Sequence, residues 1–232
     1  MPEPGAIAVK VGVQLLTRVA PTGLAWVSTW YKGKRLAIVG QPGAGKTSFL
    51  RYMQFGVFAD PSMPRQPTED DSKSAAFSVK SGKDNMLQLQ VRSILDTVGQ
   101  VNARDHARAV IRHKPHALVI VLDISGQWEG DNNYSSRFYV SEFLENLAHE
   151  LDSRAFLARH PSNITVLLNK SDKVDAAVTA EWAKQVRQSL NTKLAKFGPA
   201  VKKIPVLPCS LIEDKGGALP EKVIRHLALS LQ

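Results

Sequence analysis

Two kinds of apolar spacing alternate along most of the chain. The runs Leu36–Val39, Leu118–Leu122 and Ile164–Leu168 are apolar almost without interruption, which predicts strands buried on both faces. Ala75, Phe77 and Val79 alternate with Ala76, Ser78 and Lys80, and Leu87, Leu89 and Val91 alternate with Gln88, Gln90 and Arg92. With the turn-forming Ser81-Gly82-Lys83-Asp84-Asn85 between them, these predict a hairpin whose second strand runs on to Leu95. A last strand is expected over Ile204–Leu207. Between the strands the period changes. Val140, Phe143, Leu144, Leu147 and Leu151 share one helical face, as do Val178, Trp182, Val186, Leu190 and Leu194, and further helices are expected over Ser48–Phe55 and Leu219–Leu231. Strand followed by helix, repeated, predicts an α/β fold. Its mostly parallel six-stranded sheet carries helices on both faces, with binding loops at the strand C-termini.

Residues 1–34 read as a separate N-terminal extension before a domain over residues 35–232. Ile7, Val11, Leu15 and Val19 fall at helical spacing with Lys10, Gln14 and Arg18 between them, and Pro21 ends the pattern. Leu24, Trp26, Val27, Trp30 and Tyr31 then lead into Lys32, Lys34 and Arg35. Rings beside a basic cluster suit an acidic membrane surface, a partner subunit, or the domain's own flank.

Composition narrows this only modestly. The 232 residues carry a formal charge of +9, which favours contact with lipid headgroups, nucleic acid or an acidic partner, though there is no clear nucleic-acid motif. One cysteine, Cys209, rules out an internal disulfide and suits a reducing compartment. No run reaches the roughly 20 apolar residues of a membrane span, and neither a secretory signal nor a lipidation motif is expected. A cytoplasmic protein, peripheral to the membrane where residues 1–34 attach it, is the expectation.

The candidate chemistry begins where the first buried strand ends. Gly40-Gln41-Pro42-Gly43-Ala44-Gly45-Lys46-Thr47 has P-loop spacing, so backbone N–H groups converge on a hollow fit for phosphate. Lys46 can reach the terminal phosphates, the Thr47 hydroxyl can ligate Mg²⁺, and Ser48 opens the helix behind them. After the hairpin comes Asp96-Thr97-Val98-Gly99-Gln100. Asp96 can hold Mg²⁺ through water, the Gly99 N–H can approach a γ-phosphate, and the Gln100 amide can orient a hydrolytic water. Asn169-Lys170-Ser171-Asp172 follows another buried strand. There the Asp172 carboxylate can accept from N1–H and the 2-amino group of guanine, a donor pair adenine lacks. Lys170 can lie along the ring, and Asn169 can tie this loop to the P-loop. After the last strand, in Cys209-Ser210-Leu211, a backbone N–H can meet the guanine O6.

In this order the motifs resemble those of the Ras-like small GTPase family over residues 34–232, and the N-terminal extension is similar to that of its Arf-like branch. The resemblance implies a three-layer P-loop NTPase fold, GTP/GDP and Mg²⁺ as cofactors, slow GTP hydrolysis stimulated by a partner, and a nucleotide-controlled switch. It implies catalytic roles for Gln100 and Lys46, and a first switch at Pro67-Thr68-Glu69-Asp70 in which Thr68 closes on Mg²⁺ and the γ-phosphate. Effectors or regulators are then expected at residues 58–73 and 96–112. Three positions depart from the family pattern. Pro42 stands where a glycine is common beside the γ-phosphate, Leu211 replaces a small residue, and the loop Ser125–Arg137 is long. Two rivals follow: a scaffold that keeps nucleotide without turnover, which Pro42 would suit, and an ATPase using Asp123 as its metal carboxylate. Arg104, Arg108 and Arg112, four apart, predict a basic stripe on a helix, read first as a solvated face.

Overall fold

The computed structural model describes residues 17–19, 33–56, 58, 72–73, 77–81, 87–97, 102–126, 135–152, 163–197, 203–212 and 220–231. The strands are β1 (Thr17–Val19), β2 (Lys34–Val39), β3 (Ser72–Lys73), β4 (Phe77–Ser81), β5 (Leu87–Asp96), β6 (Ala117–Asp123), β7 (Asn163–Asn169) and β8 (Val206–Cys209). The helices are α1 (Lys46–Phe55), α2 (Ala103–His113), α3 (Ser136–Asp152), α4 (Ala176–Lys193) and α5 (Pro220–Ser230). Among the described residues, the strands form one sheet in the order β1-β4-β5-β2-β6-β7-β8, with β3 also on β5. From β5 to β8 the neighbours are parallel. The hairpin β4–β5 is antiparallel, as are the pairings of β3 and β1.

The side-chain period of two explains why the apolar runs are continuous. Along β2, Leu36 and Ile38 pack with α1 and α5 on one face, while Ala37 and Val39 pack with α2, α3 and α4 on the other. Val119 and Val121 against Leu118, Ile120 and Leu122 repeat this split in β6. Both faces are therefore dry, and the three layers follow. The helical stripes meet the sheet as their spacing requires: Val140, Phe143, Leu144 and Leu147 of α3, and Trp182, Val186 and Leu190 of α4, are buried. Val178 departs from its stripe at 40% exposure. It sits in the first turn of α4, where Asp175 Oδ1 accepts from the Val178 N–H at 2.8 Å.

Six of the strands correspond to the six expected, with the last displaced two residues onward to Val206–Cys209. The other two, β1 and β3, are additional. β1 corrects the N-terminal reading: where helical spacing extends to Val19, Thr17–Val19 pair antiparallel with β4, Arg18 opposite Val79. Two β-branched residues beside an open strand edge gain more from its ladder than from a final helical turn. Residues 1–16 and 20–32, with the rest of that expected helix and the aromatic cluster, lie outside the described residues. The basic stripe is on α2 and exposed as expected, with Arg108 engaged by Asp105 at 3.7 Å and Glu150 at 3.5 Å. Among the described residues, no helix is long and apolar enough to cross a membrane.

Candidate phosphate and base site

The P-loop joins β2 to α1 at the C-terminal edge of the sheet. Gly40 lies so close to β6 that a Cβ there would stand 2.2 Å from the Val121 carbonyl oxygen. The obstacle is thus the neighbouring strand. Gly45, at φ 99°, turns the chain into α1, and its missing Cβ leaves room for the Asn169 amide, whose Nδ2 would otherwise be 2.4 Å away. Ala44 N–H closes the turn on the Gln41 carbonyl at 3.2 Å. Lys46 folds back along the loop, donating to the carbonyls of Gly40 at 3.0 Å and Gln41 at 3.2 Å. Burial lowers its pKa to about 8, against the opposing charge of Asp96.

The next two expected residues meet. Thr47 Oγ1 donates to Asp96 Oδ2 at 2.8 Å, and Asp96 is almost wholly buried at the end of β5. One residue on, the Thr97 hydroxyl and N–H both lie 3.3 Å from the Ile38 carbonyl, fastening the strand end to β2. The hydroxyl and the carboxylate form a set of hard oxygen donors on one side of the loop. This fits a Mg²⁺ ion, which takes few protein oxygens and completes its shell with water and phosphate.

Across the loop, β7 delivers the second group. Asn169 Nδ2 donates to the Ala44 carbonyl at 2.7 Å, the tie expected from the sequence. Lys170 takes a left-handed φ of 64° and its ammonium pairs with Asp123 Oδ2. Asp123 also accepts from the Ser125 N–H at 2.9 Å and hydroxyl at 2.6 Å. Burial works to raise the pKa of Asp123, but these bonds outweigh it and hold the carboxyl below its ordinary range. Asp172 Oδ1 is buried with no hydrogen-bond partner among the described residues. Ser171 Oγ donates to the Cys209 carbonyl at 2.9 Å, linking this loop to the one after β8. The Cys209 thiol is pushed up to about 12, by burial first and by the Asp172 charge second. Leu211 turns its side chain into the core under α1 and α5, so its bulk does not occupy the loop surface. Ser210 Oγ accepts from the Ile212 N–H at 3.4 Å.

Gln41 behaves differently from the rest of the P-loop. Its side chain is buried and its Nε2 donates to Ser136 Oγ of α3. Ser136 in turn donates to the Asp123 carbonyl at 2.6 Å. Pro42 is partly exposed and Gly43 exposed. Thr68, Gly99 and Gln100, the residues expected to sense the γ-phosphate and position water, lie outside the described residues. Sequence reasoning missed Ser136, which ties the Gln41 side chain to the end of β6. A hydroxyl on the buried stripe of an amphipathic helix carries no signal distinguishing it from ordinary packing.

No protein-family model matches the chain, and no curated protein does. Solved structures do. The chain is similar to translation elongation factor SelB of Methanococcus maripaludis in complex with the GTP analogue GppNHp, with a TM-score of 0.54 at 19% identity over 86% of this chain. It spans 34% of the SelB chain, about a third of that protein. It is also similar to the signal recognition particle receptor SRb-GTP/SRX complex of Chaetomium thermophilum. There the TM-score is 0.56 at 17% identity, over 84% of this chain and 99% of that one. At these identities the likeness establishes the fold: a small-GTPase-like P-loop fold.

Proposed function

We propose that this chain, with its P-loop GTPase fold, binds guanine nucleotide with Mg²⁺, hydrolyses GTP slowly to GDP, and acts as a nucleotide-controlled switch. The observation that carries the reading is the bond from Asn169 to the Ala44 carbonyl, which locks the loop bearing Asp172 to the loop that cradles phosphate. Asp172 Oδ1, buried and unpartnered among the described residues, supplies the acceptor for a guanine edge. Lys46 carries the charge for the terminal phosphates, and Thr47 and Asp96 are the oxygens that would hold Mg²⁺, which neutralises phosphate charge as it develops. Gln100 orients the attacking water, and Thr68 and Gly99 respond to the γ-phosphate.

The ATPase reading is disfavoured by Asp123, whose carboxylate is committed to Lys170 and Ser125 while Asp96 meets the Thr47 hydroxyl. Calorimetry of the magnesium-supplied full chain with GDP, GTP and ATP tests this directly. Micromolar or tighter affinity for GDP and GTP with none for ATP is expected, and ATP preference would refute the role given to Asp172. Pro42 favours the scaffold as a second reading. GTP retained without any single-turnover hydrolysis, with or without partners, would establish the scaffold in place of the switch. That one structural neighbour is a signal recognition particle receptor SRb-GTP/SRX complex supports a protein partner here, and we assign effectors or regulators to residues 58–73 and 96–112. Residues 1–34, apart from Thr17–Val19 and Lys34, which join the sheet, attach the protein to an acidic membrane surface or to a partner subunit. Equal pelleting with anionic vesicles by the full chain and by one lacking residues 1–34 would contradict the membrane attachment.

A further inference from the structure

The P-loop and the loop that carries Asp172 are tied directly by the bond from Asn169 to Ala44, and a second tie joins them over the end of β6. Its middle is Ser136, the first residue of α3, which is buried. The Ser136 hydroxyl donates to the Asp123 carbonyl at 2.6 Å, and a carbonyl can only accept. The one hydroxyl proton is thereby used. What Oγ offers Gln41 is a lone pair, and this fixes the Gln41 amide with its Nε2 toward the serine. From Gln41 the tie continues into the phosphate cradle, because the Gln41 carbonyl accepts from the Lys46 ammonium at 3.2 Å and from the Ala44 N–H at 3.2 Å. From Asp123 it continues into the base loop: Oδ2 holds the Lys170 ammonium, while the Ser125 N–H and hydroxyl fix Oδ1. Lys46 of the phosphate loop and Lys170 of the base loop are thus joined through three residues.

The amide at Gln41 is costly for its place. Its Oε1 is buried with no hydrogen-bond partner among the described residues, and the residue is 3% exposed. An apolar side chain would strand no such oxygen. What the amide secures is the bond to Ser136, and through it a fixed distance between the start of the P-loop and the end of β6. We propose that Gln41 and Ser136 are positioning residues for nucleotide, a bridge that holds the phosphate loop and the base loop at one spacing. This deepens the guanine-nucleotide reading above and rests on it. A ligand gripped at both ends gains from the second grip only while the two loops keep their relative position. With the bridge cut, the Asn169–Ala44 bond alone sets that position, the loops move more independently, and bound nucleotide leaves faster.

The test follows release of a fluorescent GDP analogue from the full chain with Mg²⁺. Ser136→Ala deletes the hydroxyl, and release is expected to quicken about 10-fold, the scale of one buried hydrogen bond. Gln41→Met keeps the length of the side chain without its amide and should act comparably. The double variant should stay within about twofold of the faster single one, because both changes cut the same bridge. Ser136→Thr, which retains a hydroxyl, should release within about twofold of wild type. Phe143→Leu in the core under α3 is the control for packing: it should lower the melting temperature at least as much as Ser136→Ala and leave release within about twofold. Wild-type release from Ser136→Ala would overturn the proposal, as would accelerations that multiply toward about 100-fold in the double variant. So would Ser136→Thr or Phe143→Leu matching Ser136→Ala. Amide exchange in nucleotide-free protein keeps this proposal separable from the nucleotide reading. Ser136→Ala should speed exchange more than Phe143→Leu does, both in residues 40–45 and in residues 169–172; a response in one stretch alone would overturn the bridge. Should the wild type bind no GDP, the guanine reading fails by itself, and the exchange result alone decides the bridge.

Discussion

The two halves of the sheet are held together very differently. On the side of β6, β7 and β8, the register runs unbroken from Ala117 opposite Asn163 to Asp123 opposite Asn169, and both faces are packed. The loops at its upper end are bonded to each other: Ile124 N–H to the Asn169 carbonyl, Asn169 to Ala44, Ser171 to Cys209. On the other side, among the described residues, β3 meets β5 at two positions, Ser72 opposite Asp96 and Lys73 opposite Leu95, and β1 adds three residues to β4. On the guanine-nucleotide reading, the first half is built as a receptor for a base before nucleotide arrives. On the switch reading, the second ends the segment assigned to the first switch with the β3–β5 pairing as the element that rearranges. A switch needs two arrangements separated by only a few kcal/mol, and short antiparallel pairing beside the Asp96 carboxylate provides such an element. On that reading, affinity and response are lodged in different parts of one sheet.

The sharpest way to break that division is to remove the charge both halves share. Lys46→Ala should weaken GDP binding by about 10²–10⁴-fold in calorimetry, since charge-assisted bonds to two phosphates are each worth ~1.5–3 kcal/mol. Binding unchanged within threefold would mean that phosphate is not held in this loop. The next effect should be confined to the base half. Asp172→Asn replaces an acceptor pair with one acceptor and one donor, so GDP affinity should drop about 10²-fold. Xanthosine diphosphate, whose 2-oxo group accepts where guanine donates, should gain in the same titration. A variant that weakens both nucleotides equally would show that Asp172 acts on the fold and not on the base.

Much of this was legible in the chain because it is written locally. The period-two and period-3.6 spacings fix which residues face which layer, and Gly40, Gly45, Lys46 and Thr47 sit at a spacing that only a strand-to-helix turn satisfies. The meeting of Asn169 with the P-loop was legible too, since both belong to loops at the same ends of parallel strands. What stayed hidden depends on distant pairing. Thr17–Val19 follow helical spacing but join β4, because an open edge competes with a last helical turn. Lys170 and Asp123 were given separate roles, and their ion pair emerges only because β6 and β7 end in register. His106 and Tyr139 meet across helices with no spacing rule between them.

A smaller effect separates the empty from the filled site by pH. With Lys46 at about 8 against an ordinary 10.5, the folded chain has released a proton that the unfolded chain still holds between those values. Folding stability should therefore rise with pH through that window, because the unfolded state binds more protons. Phosphate favours the charged ammonium, so above about pH 8 binding must take a proton up, and GDP affinity should fall toward tenfold per pH unit. Opposite slopes in thermal melts of nucleotide-free protein and in GDP titrations between pH 7.5 and 9.5 are the expected result. Parallel slopes would place the titrating group elsewhere.

The smallest effect sharpens the contrast most directly, because it asks whether the base half is finished before nucleotide arrives. Cys209 ends β8, is fully buried, and has its thiol pushed up to about 12. At pH 8 the thiolate fraction is then on the order of 10⁻⁴, and alkylation in the folded state should proceed only through opening of the structure. If the base half is already built, saturating GDP should slow iodoacetamide labelling of Cys209 only as much as it slows global unfolding under the same conditions. Labelling of the nucleotide-free chain far faster than its unfolding would mean that β8 and its loop open locally. Affinity and response would then share the same half of the sheet, and the short β3 ladder would lose its claim to be where the switch resides.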